Sequence, residues 1–306
     1  MRFRRLNKEK LLFEKIASIV EAKIKDGTKM HKTILITGST DGIGLETAKL
    51  LASQGHDVLL HGRNREKLEK VQKTLLELQG GGCVEIYVAD LSIVANVEAL
   101  AKAVMEKHSQ LDVLINNAGV YNAPDPVTPD GLDIRFAVNT IAPYLLTQRL
   151  LPLLGTSGRV INLSSAAQST VEAEALARRI KLPDGVAYAQ SKLALTMWSR
   201  SLALSLKDRG PTIVAVNPGS MLGSKMVKQA FGVTGGDIRI GAEILTRAAL
   251  TDEFKTASGE YFDNDSGRFV PPHPDALDPQ KSQKIVRAIE TVLASKLVAH
   301  KTSDDR

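Results

Sequence analysis

Tyr188 and Lys192 stand four residues apart in the run Tyr188-Ala-Gln-Ser-Lys192. On a helix, residues four apart share a face, so the spacing predicts an ammonium beside a phenol. A neighbouring cation stabilises phenolate and draws a tyrosine pKa from about 10 towards neutrality. Such a tyrosine can give or take a proton near pH 7. The pair alone also describes two ordinary surface side chains, so its weight depends on what surrounds it.

A second stretch has chemistry in its spacing: Thr37-Gly-Ser-Thr-Asp-Gly-Ile-Gly44. It follows the apolar run Thr33-Ile-Leu-Ile-Thr37 and opens the helical pattern from Leu45 to Ser53. A strand, a glycine loop and a helix N-terminus form the context in which a dinucleotide pyrophosphate is held by backbone N–H groups. Gly38 allows a sharp turn after the strand. Gly42 permits close approach of a phosphate, and Gly44 permits tight helix–strand packing. The second strand ends in His61-Gly62-Arg63-Asn64. An enzyme reading NAD would place an acid near there for the ribose 2′-hydroxyl. Arg63 instead offers a planar cationic fork that suits a 2′-phosphate, so NADP(H) is expected over NAD(H). A solvated arginine at a helix start is the plainer alternative.

These residues need a frame, and the rest of the chain supplies one. Short apolar runs alternate with helical patterns: strands at Asp57–His61, Val84–Val88, Asp112–Asn116, Arg159–Leu163 and Thr212–Val216, with helices at Arg65–Leu78, Val94–Lys107, Leu132–Leu154 and Ala187–Lys207. Gly259–Phe262 is a possible seventh strand, and a last helix is expected over Asp278–Ala294. Such alternation predicts an α/β fold with right-handed crossovers, a doubly wound parallel β-sheet of the Rossmann kind in a single domain. With 43% apolar residues and few aromatics, the core should be aliphatic.

With the strands placed, the chain resembles the single-domain short-chain dehydrogenase/reductase family over about residues 32–295. Thr37 to Gly44 matches that family's T-G-x-x-x-G-x-G, and Asn116-Asn-Ala-Gly119 its N-N-A-G after the fourth strand. Asp90-Leu91, Ser164-Ser165, Y-x-x-x-K and Asn217-Pro-Gly219 fall in the family's order. The resemblance implies cofactor contacts from Gly38, Ser39, Asp41, Gly42, Ile43, Gly44, Arg63, Asp90, Leu91, Asn117, Ala118, Gly119, Pro218 and Gly219. Tyr188 and Lys192 would add contacts to the ribose. It also implies a catalytic set of Asn139, Ser165, Tyr188 and Lys192, with Asn139 holding a water in a proton relay.

Two departures stand out. Ser165 and Tyr188 are 23 residues apart, about ten more than in the basic pattern. The added stretch resembles the insertion of the retinol-dehydrogenase-like branch. Gly223 stands where the family has a threonine, with Ser224 one residue further on. The expected organisation is an extension over 1–29 and a Rossmann domain over 30–306, with a substrate-capping insertion at about 167–187 and a second capping segment at about 220–240. Met221, Leu222, Met226, Phe231 and Tyr121 would line the substrate site.

Charge and composition exclude several classes. Residues 1–32 hold ten Lys or Arg against four acids, and the remainder holds thirty of each sign. The net charge of +6 thus belongs to residues 1–32, and a neutral remainder gives no footprint for nucleic acid. The six histidines form no metal-ligand pair, so no metal is expected. Cys83, the only cysteine, excludes an intrachain disulfide and fits a cytoplasmic protein. No apolar run reaches transmembrane length.

Leu12, Ile16, Ile19, Val20 and Ile24 fall at helical spacing in the extension. Three readings stay open: a helix on the domain or loose, a membrane- or partner-binding helix, and a start at Met30. The function expected from the residues is NADP(H)-dependent interconversion of a carbonyl and an alcohol on a hydrophobic small molecule. A cofactor-binding sensor or scaffold without turnover is the alternative, and epimerase or dehydratase chemistry a weaker third. By family resemblance a homodimer or tetramer is conceivable.

Overall fold

The apolar runs of the sequence become the centre of one sheet. In the computed structural model, which describes residues 31–78 and 80–304, eight strands pair in the order β3-β2-β1-β4-β5-β6-β7-β8. They are β1 (Thr33–Ile36), β2 (Asp57–Gly62), β3 (Val84–Val88), β4 (Val113–Asn116), β5 (Arg159–Leu163), β6 (Thr212–Asn217), β7 (Tyr261–Asp263) and β8 (Arg268–Val270). β1 to β7 pair in parallel, whereas β8 returns antiparallel to β7. The expected parallel sheet thus carries one further antiparallel strand, β8, that the sequence patterns did not place. Residues 264–267 between β7 and β8 are too few for a crossover, so the chain turns back on itself.

Both faces of the sheet are covered. Leu35, Leu59, Leu114, Val160 and Ile213 point into one apolar cluster, while Ile34, Ile36, Val58, Val113, Ile161 and Val214 point into another. Successive residues of one strand face opposite sides, which is why these runs are apolar throughout rather than alternating. Full burial of each such side chain contributes about 1.5–3 kcal/mol. The first cluster meets helices Val94–Lys107, Ala142–Leu154, Asp184–Leu206 and Pro279–Asp304, and the second meets Gly42–Ser53 and Arg239–Leu250. From Lys32 onward the chain forms one unit; the extension expected over 1–29 lies outside the described residues.

The long helix expected around Pro143 is not continuous. It runs as Ile134–Phe136, a π-helical turn Ala137–Ile141, and Ala142–Leu154. Proline has no N–H to bond four residues back, and its ring crowds that carbonyl. The turn widens immediately before it, where the Ala142 N–H bonds the carbonyl of Ala137. Asn139 sits within this widened turn, a feature that recurs at functional sites.

Part of the stretch from 167 to 187 packs into the core. Ala175 and Leu176, in the short helix Ala173–Leu176, are buried in the first cluster beside Ile285 and Ile289 of the C-terminal helix. That helix, Pro279–Asp304, extends well beyond the expected end at Ala294.

Candidate active site

The strand order reverses direction between β1 and β4, so the loops after these strands diverge and leave a crevice at their C-terminal ends. A cleft of about 840 Å³ occupies this place. Thr37 joins its two walls. Its hydroxyl accepts the N–H groups of Asn117 and Ala118, each at 3.0 Å. The Asn117 side-chain amide in turn donates to the carbonyls of Thr37 and Gly38, at 2.8 and 3.1 Å. Asn117 therefore locks the glycine loop to the turn after β4.

The three glycines meet three different demands. Gly38 has φ +66°, and a Cβ there would lie 2.9 Å from the Ala118 backbone. Gly42 has φ +59°, and a Cβ there would make only an ordinary contact with Ile238 at 3.7 Å, so its need is conformational. A Cβ on Gly44 would lie 2.4 Å from both the Asn117 amide and the Gly38 carbonyl. Asp41 caps the helix, accepting the Gly42 N–H at 2.9 Å, and pairs with Lys225 from the opposite lip.

Most of the expected residues line this cleft: Gly38, Asp41, Gly42, Ile43, Arg63, Asp90, Leu91, Asn117, Ala118, Gly119, Ser165, Tyr188, Lys192, Pro218 and Gly219. Ser39, Gly44 and Asn139 stand behind the wall instead. Ser39 is fully buried, its hydroxyl accepting the His61 N–H and donating to the His61 carbonyl. Gly44 acts only through the closeness of its packing. The Asn139 amide clamps the Val120 peptide, accepting its N–H at 2.8 Å and donating to its carbonyl at 2.9 Å, and also reaches Ser191 Oγ.

Residues not singled out from the sequence also belong here. Thr40 and Lys67 flank Arg63 at the far end of the cleft. Arg63 is exposed and has no ion-pair partner among the described residues. His61 is buried between the walls. Its Nδ1 accepts the Gly38 N–H and its Nε2 faces the Ala89 carbonyl, both at 3.2 Å. That arrangement requires the neutral ring with the proton on Nε2, and burial pushes its pKa down to about 4. Only the strand register brings it beneath Gly38.

At the near end, the two adjacent serines separate. Ser164 turns inward, its hydroxyl 2.7 Å from Thr196 Oγ1. Ser165 faces the cleft, its Oγ accepting the Ala167 N–H at 3.1 Å while its side chain also bonds Tyr188. Tyr188 packs against Tyr121 with ring centroids 4.9 Å apart. Burial and the Tyr121 side chain raise the Tyr188 pKa, opposed by the Ser165 hydrogen bond. The depression expected from Lys192 is absent from this balance. The Lys192 ammonium lies 5.8 Å from the tyrosine ring centre and donates to the Leu163 carbonyl at 2.6 Å. Desolvation outweighs the Ser165 hydrogen bond for the phenol, and also lowers the Lys192 pKa to about 8.

The helix carrying this pair is anchored by buried Arg135. Its guanidinium forks onto Asp133 and reaches Asp184, the first residue of that helix, at 2.5 Å. Of the expected substrate-side residues, Tyr121, Met221, Leu222 and Met226 line the cleft, whereas the Phe231 side chain lies outside the described residues. From the 167–187 stretch, only Ala167 reaches the lining. Ser224 caps helix Lys225–Phe231 by accepting the Val227 N–H. Gly223 is where a Cβ would come within 2.7 Å of the Gly236 carbonyl, so no threonine fits.

The region 32–232 matches the family model described as short chain dehydrogenase. Mouse (Mus musculus) retinol dehydrogenase 13 is 32% identical over 273 residues, covering 83% of this chain and 81% of that protein. Short-chain dehydrogenase TIC 32 A, chloroplastic, of Brassica napus is 32% identical over 255 residues, covering 76% and 80%. A short chain dehydrogenase from Burkholderia cenocepacia, solved in complex with NADP, aligns with a TM-score of 0.63 at 27% identity. That alignment covers 78% of this chain and 99% of that one. Among the described residues, no helix is long and apolar enough to cross a membrane. The chain belongs to the short-chain dehydrogenase/reductase family of oxidoreductases, acting on CH–OH and C=O groups, and resembles its retinol-dehydrogenase-like branch.

Proposed function

We propose that the protein is an NADP(H)-dependent oxidoreductase that interconverts a carbonyl and an alcohol on a hydrophobic small molecule. The observation that carries this reading is the convergence of Ser165, Tyr188 and Lys192 on the near end of a cleft whose far end holds the glycine loop and Arg63.

The donor set fits a dinucleotide phosphate. The capped N-terminus of helix Gly42–Ser53 offers backbone N–H groups to a diphosphate, and Thr40, Arg63 and Lys67 offer donors to a further phosphate. Gly119 supports the fit: a Cβ there would stand 3.6 Å from the Lys192 ammonium, narrowing the passage between the two ends. When bound, the cofactor supplies or accepts the hydride.

The protein's own part follows from the geometry. The Ser165 oxygen accepts the Ala167 N–H, and its O–H, which bonds Tyr188, can turn to donate to a substrate oxygen placed beside the phenol and stabilise developing negative charge there. Tyr188, with its raised pKa, remains protonated near pH 7. That is the state required to give a proton to an alkoxide during carbonyl reduction. Lys192, held on the Leu163 carbonyl, sits beneath the tyrosine ring and supplies a positive charge below about pH 8. Asn139 fixes the loop of Val120, and Pro143 has no N–H to offer the Asn139 carbonyl. This supports a place for that carbonyl in a water relay.

Tyr121, Met221, Leu222 and Met226 favour an apolar substrate. The relatives named as retinol dehydrogenases support the same class. A cytoplasmic location and a homo-oligomer belong to this reading as expectations, with Cys83 exposed and unpaired.

Tyr188→Phe tests it. The ring is kept and the hydroxyl removed, so NADPH binding should persist while turnover of an apolar aldehyde or ketone falls by about 10²–10⁴-fold. Lys192→Ala should harm both binding and turnover. Near-normal turnover in Tyr188→Phe would remove the assignment and leave a different chemistry on the same fold, whereas a wild type that binds NADPH without turnover would leave the cofactor-binding sensor.

A further inference from the structure

The β7–β8 hairpin lies at the far edge of the sheet from the glycine loop, yet its residues touch two separate parts of the cleft. Tyr261 is buried, and its hydroxyl donates to the Ser165 carbonyl at 3.1 Å. The Gln168 amide donates to the same carbonyl at 2.9 Å. Ser165 follows β5 in a loop with no regular backbone pairing of its own. These two donors therefore hold the peptide from which the Ser165 hydroxyl projects. Strand alternation explains the reach. Phe262 packs into the aromatic cluster with Phe254 and Phe269, so Tyr261 must face the other side of the sheet.

Two residues after β7, Asp265 turns back onto the Pro218–Gly219 turn. Its carboxylate accepts the Ser220 N–H at 2.7 Å, the Ser220 hydroxyl at 2.5 Å and the Asn217 amide at 2.9 Å. Asn264 adds a bond to the Pro218 carbonyl at 2.9 Å. Three donors on one carboxylate, two of them from a single residue, fix the direction in which the turn leaves β6. Ionised acceptors make such bonds stronger than neutral ones.

We propose that the β7–β8 hairpin is a two-armed positioning element, in which Tyr261 aims Ser165 at the substrate oxygen and Asp265 sets the Pro218–Gly219 turn against the cofactor. The proposal rests on Ser165 acting as assigned above. The arms are separable because they touch different peptides: the Tyr261 arm affects turnover and the Asp265 arm affects cofactor affinity. Neither residue touches the reacting atoms, so neither is catalytic.

The experiment is a set of variants in the full chain, assayed with NADPH and an apolar aldehyde. Tyr261→Phe keeps the ring and loses the donor; kcat should fall about 3–10-fold with KM for NADPH unchanged, the range of one neutral hydrogen bond. Asp265→Ala should raise KM for NADPH at least fivefold and leave kcat within twofold. The decisive comparison uses Ser165→Ala, measured on its residual turnover. In that background Tyr261→Phe should lose its effect, because there is no hydroxyl left to aim, while Asp265→Ala should keep its own. Gln168→Leu, which removes the other donor to the same carbonyl, should mimic Tyr261→Phe and provides the same comparison if that variant folds poorly. An equal fall in kcat with and without Ser165, or no fall in either donor variant, would overturn the Tyr261 arm. An unchanged NADPH affinity in Asp265→Ala would overturn the other. Full turnover in Tyr188→Phe would instead remove the functional reading on which both rest.

Discussion

His61 should make the stability of this protein depend on pH in a way one substitution can isolate. The ring is 2% exposed, and both nitrogens are committed, Nδ1 as acceptor from Gly38 and Nε2 as donor to Ala89. Protonation would place a second donor against the Gly38 N–H at the first glycine of the loop. The folded pKa of about 4, against an ordinary 6.5, means that the unfolded chain takes up the proton first as pH falls. The contribution is therefore complete above pH 6.5 and is lost as pH drops through 6.5 towards 4. At about 1.4 kcal/mol per pKa unit the full span is roughly 3 kcal/mol, with about 2 kcal/mol already gone at pH 5. Urea denaturation of the wild type and His61→Asn at pH 7, 6, 5 and 4.5 measures it. Asparagine offers an oxygen near the Nδ1 position and does not titrate. Carboxylates held below their usual range, such as Asp263 and Asp265, destabilise both proteins alike in acid, so they cancel in the difference. The stability gap between wild type and variant should shrink by about 2 kcal/mol between pH 7 and pH 5. A gap that stays constant over this range would refute the assignment of a buried neutral imidazole. NADPH affinity of the folded wild type should hold over this interval and weaken only as the pH approaches 4, where the ring beneath the glycine loop takes up its proton.

Cofactor preference is tested at Arg63, which is exposed and has no ion-pair partner among the described residues. Arg63→Ala should weaken NADPH binding by about 1.5–3 kcal/mol, as for a charge-assisted contact, and leave NADH nearly unchanged; equal losses for both cofactors in a fluorescence titration would contradict it. A chain beginning at Met30 should keep its melting temperature and its turnover, because β1 is paired on both sides by β2 and β4. A drop in either would show that residues 1–29 complete the fold or the site.

Local patterns in the chain determined a large part of this protein. The two-faced burial of β1, β2, β4, β5 and β6 follows from their unbroken Val, Ile and Leu content, and the alternation with helices dictates parallel crossovers. The glycine loop was legible because φ near +60° at Gly38 and Gly42, and the missing room at Gly44, admit almost no other residue. The Tyr188–Lys192 spacing was legible because helical geometry fixes which residues share a face. The tertiary structure decided what depends on neighbours distant in sequence. The phenol's pKa rises because burial and Tyr121 outweigh the Ser165 hydrogen bond, while the Lys192 ammonium is drawn to the Leu163 carbonyl; no spacing rule contains that desolvation. Ser39 and Asn139 turned out to be clamps behind the wall because the backbone groups they satisfy come from other strands and loops. Within the 167–187 stretch, Ala175 and Leu176 find an apolar surface beside the C-terminal helix, and only Ala167 reaches the cleft. His61, Lys67 and Tyr261 carry no local signature at all. They join the site only because strand register and the β7–β8 return bring them within hydrogen-bonding distance of the loops or to the edge of the cleft.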